Sequence, residues 1–352
     1  MLKAAYSPYT LNFNFKALTS RGALPVKDTF FIKIWDECSP NKFGLGECAI
    51  FKGLSKEDNP DYEQTLHNLC KSINRADEVD IGNWSSIKFG LETALNDFEN
   101  GCLHTPFPGE FANGEKSITI NGLVWMGSIE EMLQRAQRKL LEGFHCIKFK
   151  IGAEDFEQEI KLLEQIRKKF PPELIEIRLD ANGAFTPKNA LSRLDRLAPL
   201  SIHSIEQPIA VGKWESMANI CESSPIPVAL DEELIGTHSI IEKEQMLDFI
   251  KPSFVILKPS LCGGFIEAKE WIDTAVQREI GWWATSALES NVGLNAIAQW
   301  VANFGIGMPQ GLGTGGLYTN NISSPLVLNN DKLFYDISKG WIFPELQWII
   351  PE

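Results

Sequence analysis

From about residue 117 onward, short apolar runs alternate with amphipathic segments of 10 to 16 residues, and nothing else in the chain limits its fold as strongly. The runs are Ser117 to Val124, Cys146 to Ile151, Ile175 to Leu179, Ile202 to Ile205, Val228 to Leu230, Phe254 to Leu257 and Trp282 to Thr285, with a last, glycine-rich run from near Gly305. Between them, sets such as Ile129, Met132, Leu133, Ala136 and Leu140, or Phe156, Ile160, Leu163 and Ile166, recur at the spacing of one helix face. A short buried run followed by a helix, repeated, predicts a parallel sheet with helices outside it. Eight such runs favour closure into a barrel, with an open doubly wound sheet as the competing arrangement.

The first hundred or so residues follow another rule. Leu11, Phe13 and Phe15 alternate with polar neighbours, and Thr29 to Trp35 is β-branched and aromatic, so two strands flank a turn-rich loop, Thr19-Ser20-Arg21-Gly22. Two helical stretches follow, the second with Ile87, Leu91, Ala94, Leu95 and Phe98 on one face. The segment 320–352 breaks the barrel rhythm, ends in Trp348-Ile349-Ile350, and is expected to pack back on the N-terminal region.

Composition removes several classes of function. Lys plus Arg number 33 against 46 Asp plus Glu, a net charge of −13, which argues against a grip on nucleic-acid phosphates. A 44% hydrophobic content excludes intrinsic disorder, and no window approaches the ~20 uninterrupted apolar residues of a membrane span. Met1 to Lys16 lacks the apolar core of a secretory signal, and the seven cysteines show no paired spacing. A cytoplasmic protein with reduced, mostly buried thiols is the expectation. The sequence is silent on oligomeric state.

In a barrel, polar residues at the C-terminal strand ends point at the active site. Here those ends carry Lys148-Phe149-Lys150, Asp180-Ala181-Asn182, Glu206-Gln207-Pro208, Asp231-Glu232-Glu233 and Lys258-Pro259. The steps from Asp180 to Glu206 to Asp231 to Lys258 are 26, 25 and 27 residues, each about one strand-helix repeat, so these groups should stand on neighbouring strands at one height. Three converging carboxylates repel unless a cation holds them, and hard oxygen ligands suit Mg2+. Any one of the three, taken alone, is as easily a solvated strand end or a helix cap. Lys148 and Lys150 leave one face of a buried strand, and a lysine beside another cation can serve as a base near neutrality. A base, a divalent metal and a second lysine approaching from another strand suit removal of a proton α to a carboxylate, giving a small-molecule carboxylate as substrate.

The motifs CIKFKIG (146–152), RLDANGAF (178–185), IEQPI (205–209), ALDEELIG (229–236) and ILKPSLCGGF (256–265) resemble, in order, the enolase superfamily, in the branch with Lys-x-Lys on the second barrel strand. TSALESNVGLNAIAQW (285–300), GLGTGGLYTNN (311–321) and GLGECAIFKGLS (44–55) look most like its o-succinylbenzoate synthase family. The resemblance implies a modified TIM barrel, (β/α)7β, over 117–319, capped by an α+β domain of residues 1–116 and the tail 320–352. It implies Asp180, Glu206 and Asp231 as ligands of Mg2+, with Mn2+ as a substitute. Lys150 would abstract the α-proton of 2-succinyl-6-hydroxy-2,4-cyclohexadiene-1-carboxylate and then protonate the departing hydroxyl. Lys258 would stabilise the enediolate from the opposite face, and Lys148 would lower the pKa of Lys150 and help bind the carboxylate. Asn182, Arg178 and Ser286 would contact substrate. The Gly311-to-Gly316 stretch spells G-x-G-x-x-G without the strand-helix context of a dinucleotide site, and a backbone nest around Gly313 for the succinyl carboxylate fits it better.

Rival reactions use the same parts. N-succinylamino acid racemases and dipeptide epimerases also oppose two lysines, but epimerases of this branch carry an Asp-x-Asp where this chain reads Thr285-Ser286-Ala287. Muconate-type cycloisomerases and a noncatalytic ligand-binding barrel fit the motifs less well. His145 and His203 read as packing or surface residues, Cys146, Cys221 and Cys262 as inert thiols, Trp282-Trp283 as barrel packing, and Glu154 to Glu164 as a solvated face. The loop around Arg21 and the Phe51-Lys52-Gly53 loop are expected to form a lid.

Overall fold

A computed structural model of the chain describes every residue except Ser20, Arg21, Met126, Ala153, Glu154 and Ile306, with backbone alone for 16–19, 22 and 23. The expected loop at Ser20 and Arg21 therefore lies outside the described residues. The strands beside it run longer than their alternation suggested: β1 (Leu2–Thr19) pairs antiparallel with β2 (Gly22–Asp36), which pairs with β3 (Phe43–Cys48). Helices α1 (Tyr62–Lys71) and α2 (Ser85–Glu99) pack on this sheet. The approach of α2 is close enough that a Cβ on Gly46 would lie 2.0 Å from the Gly90 carbonyl oxygen, so only glycine fits there.

The run 117–124 is not one strand. It divides into β4 (Ile118–Thr119) and β5 (Gly122–Val124). Six strand-helix units follow β5 and its helix α3 (Ile129–Leu141). They are β6 (Cys146–Lys150) and α4 (Phe156–Lys169), β7 (Glu176–Asp180) and α5 (Ala190–Leu197), β8 (Ile202–Glu206) and α6 (Trp214–Ser223), β9 (Val228–Leu230) and α7 (Ile240–Ile250), β10 (Phe254–Leu257) and α8 (Gly264–Val276), and β11 (Gly281–Ala284) and α9 (Asn291–Ala302). The seven parallel strands stand in the order β11-β10-β9-β8-β7-β6-β5. An eighth stave of two residues closes the ring: Gln310 bridges Ile120 and Gly311 bridges Thr285, both in parallel. This is a (β/α)7β barrel.

Alternation on each stave sends one residue set into the helix layer and the other into the barrel. Ile147, Phe149, Ile177, Leu179 and Ile205 are buried in the main hydrophobic cluster, which leaves Lys148, Lys150, Arg178, Asp180 and Glu206 facing inward. Register then ranks Lys150, Asp180 and Glu206 side by side.

The tail serves both parts of the molecule. Ile349 bridges Tyr6 of β1, as its apolar end suggested, but β12 (Leu326–Asn329) and β13 (Lys332–Tyr335) form a sheet with β4, and Leu333 and Tyr335 join the barrel's cluster. Two glutamates of the N-terminal region complete barrel helices. Glu47 accepts from the Ser290 N–H at 3.0 Å, the Ser290 hydroxyl at 2.6 Å and the Gly293 N–H at 2.9 Å, at the start of α9. Glu92 accepts from the N–H groups of Phe265 and Ile266, at the start of α8. Both satisfy donors that a helix cannot satisfy internally. No helix among the described residues is long and apolar enough to cross a membrane.

Candidate active site

Lysines from β6 and from the end of β10 flank three acids borne by the staves between them. Lys148 donates to Glu206 at 2.7 Å and lies 3.3 Å from Asp180; Lys150 donates to Asp180 at 2.9 Å and to the Asn182 side-chain oxygen at 2.9 Å. Lys258 is paired with Asp231. Asn182, with a left-handed backbone (φ 43°), also donates through Nδ2 to Glu232 at 2.8 Å. All three acids are buried, at 1–2% exposure, where an ion without a partner is costly.

Electrostatics separate the groups. Burial pushes Glu206 up, and neighbouring Asp180 and Asp231 add to this against Lys148, carrying its carboxyl to about 8. Burial acts on Asp180 in the same direction, but Lys150 and Lys148 outweigh it and hold that carboxyl well below its usual range. For Lys148 and Lys258, burial favours the neutral amine, yet Glu206 and Asp180 around the first and Asp231 and Glu206 around the second raise both above an ordinary lysine. Lys148 and Lys258 are therefore fixed cations.

The acids fit a divalent cation by donor chemistry. They offer only hard carboxylate oxygens, Glu206 keeps one buried oxygen with no partner among the described residues, and burial, with Asp180 and Asp231 close by, raises its carboxyl. Among the described residues no three acids already stand in a closed ligand set; Lys148 pairs with Glu206, Lys150 with Asp180 and Lys258 with Asp231.

A cavity of about 490 Å3 opens from this rank of charges and is lined by Lys148, Lys150, Asp180, Asn182, Glu232 and Lys258 on one side and by Ser286, Gly313 and Thr314 on another. Phe51 and Leu54 cover it from the expected lid, whereas Lys52 turns away to pair with Asp28; Arg21 lies outside the described residues. Phe15, which the sequence placed only on a strand face, and Trp125, which it did not single out, also line it, their rings 5.4 Å apart. Their positions in β1 and after β5 carry no motif, and only the folded chain brings them together.

Arg178 requires a correction. Two residues before Asp180 on the same inward face, it lies deeper in the barrel, bound to Glu176 at 2.7 Å and the Pro309 carbonyl at 2.9 Å with Trp283 beneath its guanidinium, and it does not line the cavity. The acidic α4 segment needs one too: Glu157 and Glu164 are exposed, but Glu159 is buried and accepts from the Gly152 N–H at 2.6 Å, while Glu154 lies outside the described residues. His145 is exposed beside Asp331, and His203 stacks on Phe254. Burial pushes the Cys221 and Cys262 thiols up to about 12 and raises Cys146 as well, leaving all three unreactive.

Comparison with known proteins places the chain in a family. The family description "Enolase C-terminal domain-like" matches residues 131–312, and the chain belongs to the enolase superfamily. It is 42% identical over 366 aligned positions to an o-succinylbenzoate synthase of Desulfotalea psychrophila, covering 94% of this chain and 98% of the relative. Within the superfamily, it therefore belongs to the o-succinylbenzoate synthase family. The crystal structure of MenC from the same organism superposes with a TM-score of 0.82 at 39% identity, over 95% of this chain and 99% of that one. A dipeptide epimerase of Cytophaga hutchinsonii, complexed with Mg and the dipeptide D-Ala-L-Val, superposes over 100% of both chains with a TM-score of 0.84; at 20% identity it shows a shared fold alone.

Proposed function

We propose that this protein dehydrates 2-succinyl-6-hydroxy-2,4-cyclohexadiene-1-carboxylate to o-succinylbenzoate, a hydro-lyase step of menaquinone synthesis. The observation that carries the reading is the placement of Lys150 and Lys258 on opposite sides of Asp180, Glu206 and Asp231, in a chain 42% identical to an o-succinylbenzoate synthase. Asp180, Glu206 and Asp231 would hold Mg2+, or Mn2+ in its place, which when bound neutralises charge developing on the substrate carboxylate. Lys150, with Asn182 fixing its ammonium, takes the α-proton in its neutral form and returns a proton to the departing hydroxyl on the same face. Lys258, held by Asp231, stays cationic over the other face and stabilises the enediolate. Lys148 keeps a fixed positive charge next to the carboxylate. Phe51, Leu54 and Phe15 exclude water from above. In this reading residues 1–116 and 320–352 make the cap and 117–319 the catalytic barrel, in a cytoplasmic enzyme.

Opposed lysines also permit racemisation of N-succinyl amino acids, with Lys258 supplying the second proton. Dipeptide epimerisation is disfavoured because Thr285-Ser286-Ala287 provides no acidic pair for an ammonium. A UV assay with the cyclohexadiene substrate beside an N-succinyl amino acid decides between them. Dehydration is expected to dominate, and turnover of the amino acid alone would reverse the assignment.

A further inference from the structure

Glu289, just before α9, is fully buried behind the cavity wall. One of its oxygens accepts the Ser260 hydroxyl at 2.5 Å, and the other accepts the Ser286 hydroxyl at 2.5 Å. Ser286 is thereby committed. Its single proton goes to Glu289, while its oxygen accepts from the Leu288 N–H at 3.1 Å and from the Thr314 hydroxyl at 2.8 Å. A hydroxyl has one proton and two lone pairs, so Ser286 has nothing left to offer a ligand. Thr314 lines the cavity, and its own proton points away towards Ser286. A carboxylate can only accept, which sets the direction of every hydrogen bond from Glu289 outward.

We propose that Glu289 is a positioning residue that turns the Ser286–Thr314 wall into a hydrogen-bond acceptor, favouring ligands that carry a donor and disfavouring acceptor-only dicarboxylates. This rests on the dehydration reading and deepens it. The substrate carries a hydroxyl; o-succinylbenzoate at neutral pH carries two carboxylates and a ketone and no donor. Lone pairs on the wall facing lone pairs on the product weaken its hold and speed its departure. The wall also cannot donate to the succinyl carboxylate through Ser286.

Thr314→Val, close in shape, removes the acceptor. Calorimetry with o-succinylbenzoate should then show binding tightened about three- to tenfold, while kcat/KM for the cyclohexadiene substrate falls. Binding that weakens or stays the same overturns the proposal, because a donor role or no role would give that result. Glu289→Gln replaces one obligate acceptor with an amide donor and should also tighten product binding. In the double variant Glu289→Gln/Thr314→Val it should add nothing further. Additive effects would make Glu289 a mere buttress and overturn its positioning role. Equal melting temperatures of parent and variants guard against simple misfolding, and a misfolded variant weakens substrate and product together instead of oppositely. Failure of the parent to dehydrate the cyclohexadiene overturns the functional reading alone, since product binding is measured without turnover.

Discussion

Lys148 and Glu206 share a 2.7 Å hydrogen bond inside the barrel, with β7 standing between their strands. The bond suits the proposed division of roles, in which the first lysine of the Lys-x-Lys pair is a fixed charge and not the base: Glu206 and Asp180 raise its ammonium above an ordinary lysine. It also gives Glu206 its one described partner. Replacing Lys148 with Met should therefore destabilise the metal-free protein by about 3 kcal/mol near pH 9, where the parent holds an ion pair and the variant must keep a buried Glu206 protonated instead. Near pH 5 the carboxyl takes a proton and the loss should shrink. Urea titrations at the two pH values test this, and equal losses would count against it.

Metal uptake should expel a proton. Glu206 titrates near 8, against an ordinary glutamate value of 4.5, so the metal-free carboxyl is protonated at pH 6–7. A raised carboxyl pKa means that this group's contribution to stability is fully present below about 4.5 and is lost as pH rises through about 8. Mg2+ binding at pH 6.5 should release close to one proton, and its apparent affinity should climb about tenfold per pH unit before levelling near 8. Calorimetry in buffers of different ionisation enthalpy reads the proton directly. Activity should vanish with EDTA and return with Mg2+; turnover that survives chelation would exclude the metal's part.

Lys150→Ala should lower dehydration by roughly 10²–10⁴-fold, the range of a lost general base, with Mg2+ affinity little changed. Lys258→Ala should also lower kcat, and it leaves Asp231 without its described cation. Single-turnover assays beside metal titrations separate these effects, and appreciable residual turnover in Lys150→Ala would remove that lysine from its role.

Glu92 offers a separate test at the junction of cap and barrel. Burial lifts its carboxyl to about 7, beyond what the Phe265 and Ile266 N–H groups and Lys88 offset. Because its folded pKa is raised, the protein loses stability through this group as pH rises from about 4.5 through about 7. Glu92→Gln keeps the N–H acceptor and should gain about 2–3 kcal/mol at pH 9 while staying near neutral at pH 4.5. Denaturation midpoints that fall at both pH values would show that the charge itself is needed.

The charged site was legible in the sequence because barrel strands repeat at a fixed length. Spacings of 25 to 27 residues deliver Asp180, Glu206, Asp231 and Lys258 to adjacent staves whatever the loops do. Arg178 shows where that logic stops. Period-two alternation gives the face a side chain shares but not its depth, and one pleat lower an inward residue belongs to the core beneath the site. The cap contacts were illegible for a different reason. Phe15 and Leu54 come from segments with no shared period, and β13 pairs with β4 across two hundred residues of sequence. Contacts of that kind are set by tertiary packing and leave no local trace.

Glu47 and Glu92 finish the first turns of α9 and α8 from outside the barrel, so those two helices are stabilised by residues far from them in sequence. A change that loosens the N-terminal sheet would unwind the helices that follow β10 and β11, close to Lys258 and Ser286, before it reached the rest of the ring. Grafting another relative's cap onto this barrel would have to supply two hydrogen-bond acceptors at matching positions, and a graft lacking them would fray at the catalytic rim even if every residue of the reaction were intact.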